Sequence, residues 1–309
     1  MKSKLSPVFK LENGKLLNKL EFISYFEDKV FKTIRKYSLF DFNDKFAVAV
    51  SGGKDSITVL YLTYKYLKRK NLHSNIVAVA INEGIEGYRD KTLNFLENFT
   101  KTLGIELKIY SYKDLFKTTM DKSVMILKNK GSNISPCNIC GTFRRNSINS
   151  AAREVGATKV VTGHNLDDES QNILLNVFKN NFKILARLGP FNGVVNDSLF
   201  IPRVKPLYFC TEKEVRLYTI LKNFDVGFDE CPYSKNSFRA NIGDMINRLE
   251  DKHKGVKHSI VNFYLEMQES LKEKYIDDYG SSITYCSICG EPSQKKVCNS
   301  CELKKMVLK

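Results

Sequence analysis

The sequence has no long apolar stretch, and this absence excludes a helical membrane protein. No run approaches the roughly 18 apolar residues that a membrane-spanning helix requires, although 42% of the 309 residues are hydrophobic. The opening segment, MKSKLSPVFKLENGK, is charged but lacks the apolar core of a secretion signal. We therefore expect a globular protein in the cytoplasm, with no membrane partner.

Acidic residues are too few to balance the basic ones. The chain contains 49 lysines and arginines against 34 aspartates and glutamates, which gives a formal net charge of +15 at pH 7. Such an excess predicts a polyanionic partner such as nucleic acid, and the alternative is a well-solvated lysine-rich surface. Because no tract is basic enough for a disordered polycationic arm, we expect the charge to be spread over the folded surface.

Cysteine is absent before position 137 and then occurs mainly in pairs. Of the 8 cysteines, all but Cys210 and Cys231 belong to C-x-x-C units. In a chain without an export signal, this pairing indicates metal or redox chemistry rather than structural disulfides. Cys210 directly precedes a predicted helix, and we expect it to be a buried core thiol.

Short β-rich runs alternate with helical periods from Phe46 onward. The predicted strands are FAVAV, NIVAVAIN, ELKIYSY and TKVVTGH, and helices are expected at about 55–70, at about 89–103 and over DESQNILLNVFKN. This alternation predicts an α/β fold with an open, mostly parallel sheet and helices on both faces. Thr211 and Glu214 form a capping-box pattern that predicts a further helix start. Residues 1–45 predict an amphipathic helical extension packed against the α/β region.

The string SGGKDS, residues 51–56, directly follows the first predicted strand. It is not a Walker A loop, because it lacks the additional upstream glycine and because aspartate follows its lysine. A Gly-Gly turn before a helix lets backbone amides approach an anion closely. The candidate phosphate ligands are Ser51, Gly52, Gly53, Lys54 and Ser56, and Asp55 is a candidate Mg²⁺ ligand.

SGGKDS resembles the PP-loop of the ATP pyrophosphatases, which split ATP between the α and β phosphates and adenylate a substrate oxygen. Three further signatures come after it: PCNICGTFRR at 136–145, TGHNLDDE at 162–169 and DECPYS at 229–234. In this order they resemble the TtcA/TtuA family of PP-loop tRNA thiolases, most closely the archaeal and eukaryotic cytoplasmic wobble-uridine thiolases with a C-terminal zinc finger. The resemblance covers about residues 46–305.

The resemblance implies a [4Fe-4S] cluster with one open iron, held here by Cys137, Cys140 and Cys231. Thiolates suit such a cluster, and the missing fourth ligand leaves an iron that can bind sulfide. The alternative is that Cys137 and Cys140 act directly as a persulfide and disulfide pair, without a cluster.

The resemblance also implies nucleotide contacts at Ile81, which ends the second strand, and at Gly163 and His164. Two carboxylates, Asp167 and Asp168, come next at a helix N-terminus, where they can position Mg²⁺ or transfer a proton. The alternative for one of them is a helix-capping role. The predicted catalytic residues are Lys54, Asp55, Asp167 and Asp168, with Asp168 favoured over Asp167. Arg144 and Arg145 are candidate contacts to substrate phosphate or ATP, and the alternative is a solvated pair.

The last cysteines form a compact C-x-x-C, eight-residue, C-x-x-C pattern: Cys286, Cys289, Cys298 and Cys301. Four thiolates at this spacing suit tetrahedral Zn²⁺, and the closed ligand set indicates a structural site. Its basic flanks are candidate contacts to the tRNA backbone. Relatives with this finger usually carry a second, N-terminal one. The predicted domains are therefore 1–45, a finger-like module without cysteines; 46–275, the catalytic domain; and 276–309, the zinc finger.

The resemblance implies ATP-dependent 2-thiolation of a tRNA uridine. The uridine 2-oxygen attacks the α-phosphate, pyrophosphate leaves, and sulfide or a persulfide then expels AMP. The asparagine-rich composition is unlike that of a hyperthermophile, and it favours the wobble uridine over the T-loop ribothymidine. The expected partners are tRNA, a sulfur donor that is either free sulfide or a ubiquitin-like thiocarboxylate carrier, and a second copy of the chain.

Two other functions fit part of the sequence. Another PP-loop enzyme, such as a lysidine synthetase, would leave Cys137, Cys140 and Cys231 without a role. A non-enzymatic tRNA-binding scaffold is disfavoured because Lys54 and Asp55 are intact, together with the two aspartates at 167 and 168.

Overall fold

The centre of the molecule is a parallel sheet. The computed structural model describes residues 6–192, 200–226, 231–233, 238–280 and 284–308. Within these ranges the sheet has six strands, in the spatial order Glu106–Ser111 (β5), Ile76–Asn82 (β4), Phe46–Val50 (β3), Lys159–Val161 (β6), Arg203–Val204 (β8) and Phe191–Asn192 (β7). Neighbouring strands are parallel except for β7 and β8. The predicted open, mostly parallel sheet is confirmed.

Helices cover both faces of this sheet. They are Lys19–Lys36 (α1), Lys54–Lys68 (α2), Arg89–Leu103 (α3), Tyr112–Phe116 (α4), Met120–Asn129 (α5), Pro136–Glu154 (α6), Leu166–Phe178 (α7), Phe182–Leu185 (α8), Glu212–Leu221 (α9), Phe238–Lys252 (α10), Val256–Gly280 (α11) and Asn299–Leu308 (α12), with a short 3₁₀ helix at His73–Asn75. Val48 and Ala78 share one hydrophobic cluster with α1, α2 and α9, whereas Val77 and Val79 share another with α4, α5, α6 and α12. Successive strand side chains point to opposite faces, so these two clusters lie on the two sides of the sheet.

The N-terminal segment is a hairpin followed by a long helix. Phe9–Lys10 (β1) pairs with Leu16–Leu17 (β2), and α1 begins at a capping box formed by Asn18 and Glu21. Its apolar face is buried in the same cluster as β3 and α2, as the sequence pattern predicts. The domain boundaries at 45/46 and 275/276 stay predictions.

The C-terminal segment is a small module docked on α6. It contains Thr284–Tyr285 (β9), Pro292–Ser293 (β10) and α12. The buried Glu291 accepts hydrogen bonds from Arg153 at 2.8 Å and from Asn149 at 2.9 Å, both on α6. Leu303 and Val307 of α12 are buried in the cluster that contains the core side of α6.

The strand order places a crevice at the carboxyl ends of β3 and β6. From β3 the chain proceeds outward to β4 and β5, and it then returns to β6 on the other side of β3. Ligands of open α/β sheets bind where the strand order reverses in this way. The first turns of α2 and α7 both begin at this crevice. No helix of the described residues is long and apolar enough to span a membrane.

Candidate active site

The phosphate loop is tightly folded between β3 and α2. Gly52 has a φ of +85°, and a Cβ there would lie 2.8 Å from Cβ of Thr92, so both the backbone conformation and the space require glycine. Ser51 and Ser56 close the loop, with their Oγ atoms 3.2 Å apart. Gly53 is the N-cap of α2 and supplies no side-chain cap. The first amides of α2 are therefore left for an anion.

Lys54 and Asp55 form the charged part of the loop. Lys54 Nζ lies 2.9 Å from Asp55 Oδ2 and 2.8 Å from Glu212 Oε1 at the start of α9. Burial raises the pKa of the Asp55 carboxyl, with Asp168 contributing in the same direction and Lys54 opposing it. Two carboxylates thus share the lysine, which gives it a defined position before any nucleotide binds.

The loop after β6 presses directly against the phosphate loop. A Cβ on Gly163 would lie 2.8 Å from the carbonyl carbon and oxygen of Asp55, so a glycine is required for this approach. Asn165 donates from Nδ2 to Asp55 Oδ1 at 2.9 Å. It is also the N-cap of α7, where its side chain accepts from the backbone N–H of Asp168. The two polar loops predicted from the sequence are therefore in contact.

The two consecutive aspartates have different surroundings. Asp168 faces the site: about a third of its side chain, 34%, is exposed, Arg239 pairs with it at 2.7 Å, and burial raises its pKa against the opposing charge of Arg239. Asp167 is buried, where it pairs with Lys257 of α11 and accepts from the backbone N–H of Glu212 at 2.8 Å. Both oxygens of Asp167 therefore have partners on α9 and α11, and its catalytic role stays a prediction.

His164 lies beside the same crevice and is neutral. Its Nδ1 is 2.9 Å from Thr162 Oγ1. Its side chain is solvent-exposed, and the neighbouring protein together with the positive charges of Lys205, Arg239 and Arg203 lowers its pKa. At pH 7 the ring therefore offers a hydrogen-bonding group without a charge.

The end of β4 is organised by a buried arginine. Arg89, which is 3% exposed, donates from Nε to the Ile81 carbonyl at 2.8 Å and from Nη1 to the Ser51 carbonyl at 2.6 Å. The Ile81 side chain is buried. The carbonyls of Ile81 and Ser51 therefore share one donor, Arg89, and contact of Ile81 with a nucleotide stays a prediction.

Glu83 connects this corner to the C-x-x-C helix. Its carboxylate is buried between Arg89, whose Nε lies 2.9 Å from Oε2, and Arg144, whose Nη2 lies 2.7 Å from Oε1. Arg144 is on α6, one turn after Cys140, and 46% of its side chain is exposed. Arg144, a candidate substrate contact, is thus fixed by its ion pair with Glu83, and the rest of its side chain is exposed to solvent. The sequence pattern predicts neither this pairing nor a role for Arg89, although the segment INEGIEGYRD contains both Glu83 and Arg89.

The three cysteines predicted to hold a cluster converge near the first turn of α6. Cys137 Sγ is 3.5 Å from the carbonyl of Tyr233, two residues after Cys231. Tyr112, directly after β5, donates to the Cys140 carbonyl at 3.0 Å. Cys140 and Cys231 pack against the same apolar cluster. The flanking positions 229, 230 and 234 of DECPYS lie outside the described residues.

The donor set suits an iron-sulfur cluster, because its three candidate ligands are all cysteine thiolates. Cys140 and Cys231 also pack against an apolar cluster, and such a surrounding tunes the potential of a bound iron-sulfur centre. The assignment of Cys137, Cys140 and Cys231 as the ligands stays a prediction.

Arg145 shows a different environment from Arg144. Arg203 of β8 donates to the Arg145 carbonyl at 3.3 Å, and no carboxylate of the described residues pairs with either guanidinium. Burial lowers the pKa of Arg203 to about 10, and the charge of Arg145 adds to the effect. Unneutralised guanidinium groups beside the crevice suit a phosphate-bearing substrate.

The C-terminal cysteines form a closed tetrathiolate. Among the described residues, Cys286, Cys289, Cys298 and Cys301 are the sole ligand group whose donor atoms all lie within 4.8 Å of one another. Cys289 and Cys298 are separated by 3.6 Å, close to the roughly 3.8 Å that Zn–S bonds of about 2.3 Å impose in a tetrahedron. The amides of Cys298 and Cys301 donate to cysteine sulfurs, as in structural metal knuckles.

Several residues of the site lack any local signal in the sequence. Arg239, Glu212 and Lys257 reach the two aspartates or Lys54 from α9, α10 and α11. Their spacing from the motifs follows no period, so only the fold identifies them. Cys210, in contrast, is fully buried as predicted.

Comparison with known proteins agrees with this geometry. The family model ATP_bind_3, described as a PP-loop domain, matches residues 24–249. The tRNA 2-thiolation protein NcsA of Haloferax volcanii is 36% identical over 261 residues, which cover 83% of this chain and 80% of that protein. The tRNA-5-methyluridine(54) 2-sulfurtransferase of Pyrococcus horikoshii is 34% identical over 285 residues, which cover 91% of this chain and 85% of that protein.

A solved structure also superposes on almost the whole chain. The U34-tRNA thiolase NcsA from Methanococcus maripaludis, solved with its [4Fe-4S] cluster, has a TM-score of 0.79 and 33% sequence identity. The match covers 98% of this chain and 94% of that one.

Proposed function

We propose, since the chain belongs to the PP-loop family of tRNA 2-thiolation proteins, that it adenylates the 2-oxygen of a tRNA uridine and replaces that oxygen with sulfur. One observation supports this proposal above the others. The phosphate loop after β3 and the cysteines of α6 meet at the same edge of the sheet, joined through Glu83 and Arg89. An adenylated base formed at the loop would lie beside a sulfur centre.

The residues of the loop account for the first half of the reaction. The free amides at the start of α2 and the Lys54 ammonium bind the ATP phosphates. Negative charge develops on the departing pyrophosphate, and Lys54 stabilises it once the lysine is drawn away from Asp55 and Glu212. Asp55 and Asp168 supply hard oxygen ligands on one side of the loop, and this donor type suits Mg²⁺. Asp168, with its raised pKa, is also the candidate proton acceptor.

The cysteines account for the second half. Cys137, Cys140 and Cys231 would hold a [4Fe-4S] cluster whose open iron supplies a binding site for the incoming sulfur. The protein positions this centre by anchoring Cys140 through Tyr112 and Cys137 beside Tyr233. Arg145 and Arg203, whose guanidinium groups pair with no carboxylate of the described residues, bind the backbone of the tRNA, and Arg144 lies on the side of the cysteines. The target uridine leaves the base stack of the tRNA to reach the cysteines.

The position of the uridine distinguishes two versions of the proposal. The relative solved as a structure is named a U34-tRNA thiolase, whereas the Pyrococcus relative is named for position 54. The composition argument favours the wobble uridine, and we propose that version. The alternative is the T-loop ribothymidine.

The remaining assignments complete the proposal. Zn²⁺ occupies the C-terminal tetrathiolate as a structural ion. The enzyme works in the cytoplasm, because its tRNA substrate and reduced thiols belong to a reducing compartment. The sulfur donor, whether sulfide or a ubiquitin-like thiocarboxylate carrier, and the homodimer stay predictions.

Nucleoside mass spectrometry tests the function directly. Protein purified without oxygen is incubated with unmodified tRNA, ATP, Mg²⁺ and sulfide, and the digested tRNA is mapped by position. We expect one 2-thiouridine per tRNA at position 34, formed together with AMP. A Lys54→Ala variant should abolish both products, and a Cys231→Ala variant should abolish the thionucleoside and reduce the iron content. Thiolation at position 54 would replace the wobble assignment. If protein that contains its full complement of iron forms no thionucleoside, the proposed enzymatic function is refuted.

A further inference from the structure

A buried carboxylate lies between the two halves of the site. Glu83 follows β4, and its side chain is 4% exposed. It has two guanidinium partners that come from different elements, Arg89 at the start of α3 and Arg144 on α6. A carboxylate with two arginines is expensive to bury unless each group is bonded. Here every partner is bonded, which fixes the geometry of all three side chains.

The contacts form a continuous path across the site. The Ser51 carbonyl, the first residue of the phosphate loop, accepts from Arg89, and Arg89 pairs with Glu83. Glu83 in turn accepts from Arg144 at 2.7 and 3.1 Å, and Arg144 follows Cys140 by one helical turn. The path therefore connects the nucleotide end of the site to its sulfur end.

The backbone around Glu83 prevents it from shifting. Its carbonyl accepts from the amide of Met120 at 2.7 Å. The next residue, Gly84, has a φ of +68°, and a Cβ there would lie 2.8 Å from the side chain of Thr119. Both ends of the carboxylate-bearing residue are thus fixed by the first turn of α5. A fixed buried carboxylate can hold the half-exposed Arg144 in one direction.

We propose, on the basis of the function above, that Glu83 is a positioning residue that couples adenylation to sulfur transfer. It aims Arg144 at the space between the cysteines and the adenylated base, and through Arg89 it sets the distance to the phosphate loop. In the coupled reaction the C2–S bond forms while the C2–O bond breaks and AMP leaves. If Arg144 is misplaced, water attacks C2 instead, which regenerates uridine and AMP, and the ATP is consumed without product.

The ratio of pyrophosphate released to 2-thiouridine formed measures this coupling. The test compares Glu83→Gln with the matched control Glu86→Gln, a change in the same loop at an exposed side chain. For Glu83→Gln we expect the ATP KM to stay near wild type and thiolation to fall by roughly tenfold to hundredfold, as for a small misplacement of a reacting group. Pyrophosphate release should fall much less, so the ratio should rise well above the wild-type value. Glu86→Gln should leave it unchanged.

A second variant protects the test against misfolding. Arg144→Gln leaves the buried pair of Glu83 and Arg89 intact, and its own side chain is half-exposed, so we expect it to fold. It should raise the ratio as Glu83→Gln does, and the double variant should raise the ratio no further than Glu83→Gln alone, because Glu83→Gln already breaks the contact with Arg144. Thermal unfolding and iron content are measured alongside.

The outcomes separate this inference from the function on which it rests. If pyrophosphate release and thiolation fall together in Glu83→Gln and Arg144→Gln, with an unchanged ratio, Glu83 has only a structural role. If neither pyrophosphate release nor thiolation changes in these variants, Glu83 does not position Arg144 for the reaction. If the wild-type protein itself makes no 2-thiouridine, the proposed function fails before the variants are compared.

Discussion

The N-terminal and C-terminal segments are stabilised on the central domain in different ways. Each is a short hairpin and helix that must dock on the central domain. The N-terminal end buries Phe22, Phe26 and Val30 of α1 in the main core, and Phe26 stacks on Tyr218 with ring centroids 4.6 Å apart. Within its described residues, the C-terminal end buries few apolar groups, namely Leu303, Val307 and the thiols of Cys286, Cys298 and Cys301. Apolar burial can replace a metal only where enough of it is available.

Removal of the zinc ion that we propose for the C-terminal cysteines should have the largest effect. Structural zinc contributes about 10–16 kcal/mol in small finger modules, and residues 284–308 have no core of their own to compensate. In Cys298→Ser, we expect hydrogen exchange of residues 284–308 to become as fast as in an unfolded chain, while α1 keeps its protection. Mass spectrometry of the exchanged peptides measures both in one sample. Loss of protection in α1 as well would show that the two ends are not independent.

Loss of an aromatic ring from α1 should have the next largest effect. Phe26→Ala removes a fully buried side chain, and such changes cost about 3–5 kcal/mol. The midpoint of urea unfolding should fall accordingly, and the zinc content should not change. Leu20→Ala, on the same helix but 66% exposed, is the matched control and should shift stability by less than about 0.5 kcal/mol. Equal effects from the two variants would contradict the role of burial.

Loss of the docking carboxylate should have a smaller effect. Glu291→Gln removes the charge that pairs with Arg153 and accepts from Asn149. A broken bond to a charged group costs about 1–3 kcal/mol, so the C-terminal module should exchange faster without losing its metal. Zinc analysis and hydrogen exchange separate these two properties. Zinc loss in this variant would mean that docking and metal binding form one cooperative unit.

The smallest effect is expected at the surface of the C-terminal module. Lys295 and Glu302 pair at 3.3 Å with both side chains about half-exposed or more. Exposed pairs contribute about 0–1 kcal/mol, so Lys295→Ala should leave unfolding and exchange near wild type. If tRNA affinity falls instead, with a reduced salt dependence, the module contacts the tRNA backbone.

Local patterns in the sequence predicted much of the fold. The period of RDKTLNFLENFTKTL predicted α3 over about 89–103, and the structure has Arg89–Leu103. The capping box of Thr211 and Glu214 predicted the start of α9. The contact between the two polar loops followed from a general rule for parallel sheets, since both loops come after strands. These features depend on residues close together in the chain.

Long-range partners could not be predicted in this way. Asp167 and Asp168 are adjacent in sequence, and the preference for Asp168 does not predict their partners: Lys257 pairs with the buried Asp167, and Arg239 pairs with the partly exposed Asp168. Nothing near residue 167 encodes this difference, because both partners come from distant helices. The same holds for Arg144, whose partner Glu83 is 61 residues away.

Gly163 limits how this enzyme can be redesigned. No side chain fits between its α-carbon and the backbone of Asp55, so the loop after β6 and the phosphate loop constrain each other's shape. A loop grafted from another nucleotide-binding protein onto either side would have to bring its neighbour with it. Libraries that seek a new acceptor base should therefore leave both loops untouched and vary positions on other elements, such as those around Arg145 and Arg203.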